Sequence, residues 1–328
     1  MTAMTEELTA KDLNNQGVEL FLQGNIAAAR AKYDRALELD SQNSSTLNNL
    51  GYTYAYEDRH EEAIAYYEKA LAANPEDATA HLNLGNSLVS LGQIESGLHS
   101  LQRAVEVNPR TEQAWAGIAK IAQLSGSLSA AERAWAEAID INPDNLDNIY
   151  GLGVVLAMQQ KYAEAIGVFQ ALLEVDPTHT DAIAQLGIVY LMRQDLSIAR
   201  DIFRQALGLE PEHETARYHL ALAHATAGDS QAAQLELQRL VAIAPHNLKA
   251  RVDLGVFQLA AGELDTALQQ FDSALEREPD LSKALYYKAL TLQQQGDVET
   301  AKAILQQLSQ RDDDEYGIKA NTYLDTQI

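Results

Sequence analysis

Cysteine is absent from the chain, which removes disulfide frameworks, thiol nucleophiles and cysteine-based metal sites. Basic residues are scarce: 24 Lys and Arg stand against 47 Asp and Glu, a formal net charge of -23. Nucleic-acid affinity rests on cations displacing condensed counterions, so DNA, RNA and anionic membranes are poor partners for such a surface. Long apolar runs are also missing. No stretch approaches the roughly 18 consecutive apolar residues of a spanning helix, and Met1 to Ala10 lacks the basic and apolar regions of a secretory leader. These absences predict a soluble protein of a reducing, cytoplasmic compartment with no direct membrane insertion.

Proline is sparse too, but its placement is regular. All seven prolines, Pro75, Pro109, Pro143, Pro177, Pro211, Pro245 and Pro279, lie 34 residues from their neighbours. The same spacing links Gly17, Gly51, Gly85, Ala119, Gly153, Gly187, Ala221, Gly255 and Ala289. A third register of small residues runs Ala29, Ala63, Gly97, Ala131, Ala165, Ala199, Ala233, Ala267 and Ala301. Nine repeats therefore run without insertion from Ala10 to Glu315. A period of this size signals a stacked repeat architecture rather than separate globules.

Within the repeat Ser44 to Asp77, the apolar residues Leu47, Leu50, Gly51 and Tyr54 have helical spacing, and Ala63, Ile64, Tyr67, Ala70 and Leu71 form a second such run. Each repeat thus reads as two short antiparallel helices. Gly24, Gly92, Gly126, Gly228, Gly262 and Gly296 fall between the two helices, where a left-handed cap suits glycine. Proline ends the second helix, because it has no amide hydrogen and biases the preceding residue away from helical angles. The small registers let short helices approach closely. Tyr33, Tyr67, Trp135, Phe169, Phe203 and Phe271 are expected to fill the seam between them.

In this combination the residues resemble the tetratricopeptide repeat family, a 34-residue helix-turn-helix with a small, small, aromatic, Ala, Pro pattern, over 306 of the 328 residues. The resemblance implies an all-α, right-handed superhelical α-solenoid. Its repeats would be 10–43, 44–77, 78–111, 112–145, 146–179, 180–213, 214–247, 248–281 and 282–315. Residues 1–9 would be an amino-terminal tail, and 316–328 a short capping helix whose Ile318, Tyr323 and Leu324 cover the last repeat. Departures lie mainly at the ends, with Ser41 and Asp313 where proline would stand; Leu172, Leu240 and Leu308 replace the second-helix alanine.

Signatures of chemistry are missing. The chain has no Gly-Lys dipeptide for a phosphate loop and no Gly-x-Ser-x-Gly, and Gly153 in the fragment Gly151-x-Gly153 is the packing glycine of its repeat. The histidines include no zinc-binding i, i+4 pair; His219 and His224 are five apart on one helix. His179, His213 and His246 fall in turns between repeats, where solvated rings are expected. The reading is a protein without catalytic residue, cofactor or metal.

In the family the first helices line a concave face that holds peptides or helices. Here the first three repeats place Asn14, Asn15, Asn48, Asn49, Asn83 and Asn86 on that face, with Tyr52, Tyr56 and Phe21 beside them. An Asn side chain offers both donor and acceptor to a peptide backbone. The ladder resembles that of the O-linked N-acetylglucosamine transferases, which hold extended protein substrates. From the fifth repeat onward the ninth position turns apolar: Val154, Ile188, Leu222, Val256 and Leu290, extended by Met158 and Met192. Such a stripe reads as a docking face for an amphipathic helix, as packing between neighbouring helices, or as a self-association surface. Capture of acidic chaperone tails is rejected, because no fifth position holds lysine and Asp253 and Tyr287 stand where the clamp arginine would be. The expected function is a scaffold or adaptor for complex assembly or targeting, binding a protein or peptide partner that carries basic residues. The alternative is a homo-oligomeric structural protein.

Overall fold

A computed structural model describes residues 8–311 and 313–326 of the chain. Most of the expected tail, residues 1–7, and the last two residues of the capping segment lie outside them. Nineteen helices occur among the described residues, in two compact bodies divided between Val168 and Phe169.

The amino-terminal body holds helix hairpins α1 (Ala10–Leu22) and α2 (Ile26–Leu39), α3 (Ser44–Ala55) and α4 (His60–Ala73), α5 (Ala78–Ser90) and α6 (Ile94–Val107), and α7 (Glu112–Leu124) and α8 (Leu128–Ile141). After α9 (Leu146–Met158) comes α10 (Tyr162–Val175), within which the division falls. The carboxy-terminal body continues with α11 (Thr180–Met192) and α12 (Leu196–Leu209), α13 (Glu214–Thr226) and α14 (Ser230–Ile243), α15 (Leu248–Ala260) and α16 (Leu264–Leu275), and α17 (Ser282–Gln295) and α18 (Val298–Leu308). The last helix is α19 (Glu315–Thr326).

The turn inside each repeat has one geometry. At α1 the Asn25 N–H reaches Leu20 O at 2.9 Å and the Gly24 N–H reaches Phe21 O at 2.8 Å, the paired bonds of a helix ending in a left-handed residue. Gly24, Gly92, Gly126, Gly228, Gly262 and Gly296 have φ from 75° to 92°. The other three repeats force Asp58, Gln160 and Gln194 into the same region, at 58°, 62° and 68°. That conformation crowds a Cβ against the carbonyl, so these three turns hold strain the glycine turns do not.

Packing follows the small registers. Tyr33, Tyr67, Trp135, Phe169, Phe203 and Phe271 are each at most 3% exposed, in the seam as expected. The glycine opposite the ring is a steric requirement: a Cβ on Gly187 would stand 2.6 Å from Phe203 Cε1, and one on Gly255 2.6 Å from Phe271 Cε1. Alanine is tolerated beside leucine in two repeats and beside Trp135 in the fourth, where Ala119 shares its buried cluster. Ala221 shares a buried cluster with Leu237, and Ala289 shares one with Leu305.

Two expectations are corrected. The His213 ring is buried rather than solvated: its Nδ1 accepts the Ala216 N–H at 3.1 Å, capping α13, and its Nε2 lies 3.1 Å from Asp181. His179 caps α11 in the same way, through Ala182 N–H at 3.2 Å. The imidazole thus does the work of the Asn or Asp that caps other first helices. In α19, Ile318 is exposed, and Gly317 and Ala320 are buried instead, with Tyr323 and Leu324 packed beside Leu305 and Leu308. Close backbone approach at Gly317 and Ala320, together with Tyr323 and Leu324, seats this helix.

Candidate functional site

Within each body the odd-numbered helices form the inner row. In the amino-terminal body α1 touches α3, α3 touches α5, α5 touches α7 and α7 touches α9; the even-numbered helices pack on their hairpin partners and the following first helix. A stack whose first helices crowd together while its second helices fan apart curves towards the first helices. The inner positions of α1 to α9 therefore face a common side.

The asparagines of that side are largely spent on one another. Asn49 Nδ2 donates to Asn14 Oδ1 at 3.0 Å, and Asn83 Nδ2 donates to Asn48 Oδ1 at 3.0 Å. In both pairs the fifth position of one repeat meets the sixth position of the next. Asn48 is buried, Asn14, Asn49 and Asn83 are half-buried, and Asn15 and Asn86 are exposed. The ladder thus stitches consecutive repeats, while the carbonyl of each donating Asn and the amide of each accepting one are not used in the bond between them. Beside it Phe21 meets Tyr52 and Tyr56 edge-to-face, at centroid distances of 5.5 and 5.3 Å. Tyr56 remains 65% exposed, an aromatic edge open to a partner.

The apolar stripe is half-submerged. Ile188 and Leu222 pack against one buried cluster that includes Ile183, Phe203 and Leu220. Val256 and Leu290 pack against another, around Phe271 and Val252. Val154 is half-buried on α9. Met158 and Met192 stand 49% and 58% exposed, so the thioethers are the most accessible part of the stripe.

Three features escaped the sequence reading. The first is a polar chain along the inner row of the carboxy-terminal body. Tyr218 donates its hydroxyl to Asp253 Oδ2 at 2.7 Å, and Lys283 Nζ binds Asp253 Oδ1. Burial works against the Lys283 charge, yet the Asp253 carboxylate holds its pKa above the ordinary value. Burial, then Asp253, pushes the Tyr218 hydroxyl up as well. Lys249 lies 4.6 Å over the Tyr218 ring, so Lys249 and Lys283 are both engaged within the protein.

The second is the Glu112 carboxylate, 9% exposed, which accepts amides from Asn145 at 2.6 Å and Asn148 at 2.7 Å on Oε1, and from Asn142 at 3.1 Å on Oε2. Burial raises its pKa, but the three donors outweigh burial and hold it below the usual glutamate range. The third is an inner-side pocket of about 480 Å³ between α5, α7 and α9, walled in part by Leu101, Trp135 and Ile121. The consecutive sixth-position glycines could have signalled it: Gly117 on its lining and Gly151 against Trp135, 34 residues on. Among the described residues no cluster of three His, Asp or Glu could hold a metal ion, and no helix is long and apolar enough to cross a membrane.

Comparison with known proteins gives one consistent answer. A tetratricopeptide repeat model matches residues 54–121, 122–186, 225–290 and 258–320. Further repeat models of the same kind match 185–248 and 17–58. No curated protein matches the sequence. Among solved structures, the APC/C hetero-tetramer Cut9-Hcn1 is 16% identical with a TM-score of 0.57, over 89% of this chain and 57% of that one. Pseudomonas aeruginosa pilF is 16% identical with a TM-score of 0.57, over 65% of this chain and 96% of that one. YrrB, described as a TPR protein with an unusual peptide-binding site, is 22% identical with a TM-score of 0.44, over 68% of this chain and 97% of that one. At these identities the likeness is one of fold.

Proposed function

The chain belongs to the tetratricopeptide repeat family, and on that premise we propose that it is a non-enzymatic adaptor whose inner helix row binds a segment of another protein. The observation that carries the reading is the accessible inner surface of each body: Tyr52, Tyr56 and Met158 in the amino-terminal body and Met192 in the carboxy-terminal one, all at least 46% exposed. Large apolar side chains on a regular inner row bury favourably against a partner, at about 1.5 to 3 kcal/mol each. Rigid tyrosines and flexible methionines suit an extended peptide and an amphipathic helix respectively. The asparagine pairs contribute orientation through their remaining amide and carbonyl groups. The net charge of -23 favours partners that are basic overall, through attraction that salt screens. Assembly or targeting of a protein complex in the cytoplasm is the role such binding serves.

The test compares partners captured by the wild type, by Tyr52→Ser with Tyr56→Ser, and by Met158→Glu with Met192→Glu. All four positions are exposed, so helical circular dichroism should be unchanged. Loss of the partner in either double variant supports the inner row. An identical partner set in all three proteins sinks it, and a light-scattering mass that rises with concentration would favour self-association instead.

A further inference from the structure

The sixth position of the repeat reads Asn15, Asn49, Asn83, Gly117, Gly151, Gln185, His219, Asp253 and Tyr287. Only the fourth and fifth repeats lack a side chain there, and they are consecutive. A Cβ on Gly117 would stand 2.9 Å from Leu101 Cδ1, and one on Gly151 would stand 2.5 Å from Cε2 and Cζ2 of Trp135. The two seam residues thus reach into the space an inner-face side chain would fill. They become walls of the pocket between α5, α7 and α9, whose volume of about 480 Å³ is within the usual range for ligand sites. The pocket lies wholly within the amino-terminal body.

Its chemistry is mixed in a specific way. The Trp135 indole N–H is buried and finds no acceptor among the described residues, whereas the Trp115 N–H is bound to Pro109 O at 2.9 Å. Glu112 lines the pocket, but both its oxygens are occupied by the three asparagine amides. Two charges on the lining have no ion-pair partner among the described residues, Lys120 and Asp147. Asp147 lies in the first turn of α9, where the helix dipole already favours an anion. Lys120 lies in the interior of α7, exposed, with no such compensation.

We propose that this pocket takes a large apolar side chain of a bound peptide while Lys120 holds a carboxylate on the adjacent peptide residue. The inference rests on the inner row being a binding face, and it adds the local recognition rule. The acid must be local, because a ligand acidic throughout would be repelled by a protein of net charge -23.

The probe is the capped peptide acetyl-Lys-Gly-Glu-Phe-Gly-Lys-amide, with two controls that carry Lys in place of Glu or Ala in place of Phe. Binding is measured by titration calorimetry, and its location by Trp135 emission in a Trp115→Phe background, where Trp135 is the sole tryptophan. The Glu-Phe peptide should bind with a saturable emission change, and each control should bind at least about tenfold more weakly. Lys120→Glu, an exposed change that leaves the fold intact, should invert the order of the Glu and Lys peptides. No binding of the Glu-Phe peptide, equal binding of all three, or the same order in Lys120→Glu overturns the proposal. Binding that is lost in Tyr52→Ser with Tyr56→Ser but indifferent to Lys120→Glu overturns this pocket alone and leaves the inner row standing.

Discussion

Asn83 donates its side-chain amide to the carbonyl oxygen of Asn48 across 3.0 Å, one repeat away. The relation recurs between Asn49 and Asn14, at the same fifth and sixth positions. Residues that look in sequence like a row of free peptide-binding groups therefore do a second job, fixing the register of neighbouring hairpins. In a stack where each repeat meets only its neighbours, such bonds add to the interface terms on which stability depends.

Asn83→Ala should cost about 1 to 3 kcal/mol, because it strands the oxygen of buried Asn48. Asn49→Ala should cost less, since its acceptor Asn14 is only half-buried and water can replace the lost donor. Urea denaturation of both variants checks the order. Equal losses would mean that the Asn48 oxygen is rehydrated.

Gly187→Ala should destabilise by about 1 to 3 kcal/mol, because its methyl group would stand 2.6 Å from the fully buried Phe203 ring. Adding Phe203→Leu should recover part of the loss, since Ala221 with Leu237 and Ala289 with Leu305 already use that combination. Gly208→Ala, with nothing within 4 Å of its Cβ, should instead stabilise by up to about 1 kcal/mol. Thermal melts of the four proteins measure all three effects.

Gln160→Gly and Gln194→Gly should each raise stability by about 0.5 to 1 kcal/mol. Their φ values of 62° and 68° strain a residue with a Cβ, and the relief exceeds the entropy glycine adds to the unfolded chain. Gly24 or Gly262 replaced by Gln should lose a similar amount. A rise in the urea midpoint for the first pair and a fall for the second is the expected pattern.

Glu112→Gln should be less stable than the wild type at pH 7 by about 1 to 3 kcal/mol, because the three amide donors are arranged around a carboxylate. The folded-state pKa of Glu112 is lowered, so this stabilisation is fully present above the ordinary glutamate value of about 4.3. It is lost as pH falls through the lower folded value. Urea midpoints measured from pH 7 down to pH 3 should show the gap between the two proteins closing only at the acid end. A gap independent of pH would remove the charge from the explanation.

Much of the fold is written in local spacing. Period, helix pairs, glycine turns and seam aromatics depend on short-range sterics and on which residues recur every 34 positions, and both are visible in one dimension. The site is less so. A list of inner positions does not reveal that Asn49 reaches Asn14, or that Lys283 and Tyr218 meet on Asp253, because each bond spans about one repeat and its existence depends on how far apart neighbouring hairpins settle. His213 is buried for a reason of the same kind: a turn residue is solvated or buried according to what the neighbouring repeat lays over it.

Sequence alone determined that this protein is a run of helix hairpins without cysteine chemistry, and it located the residues that must be small for the hairpins to close. Only the tertiary structure decided which inner side chains are consumed in stitching and which stay open, and that two missing side chains, at Gly117 and Gly151, bring Leu101 and Trp135 to the surface of a pocket. The physical reason is that steric closeness within a hairpin is a local property, whereas an opening on the inner side exists only between elements that different repeats supply.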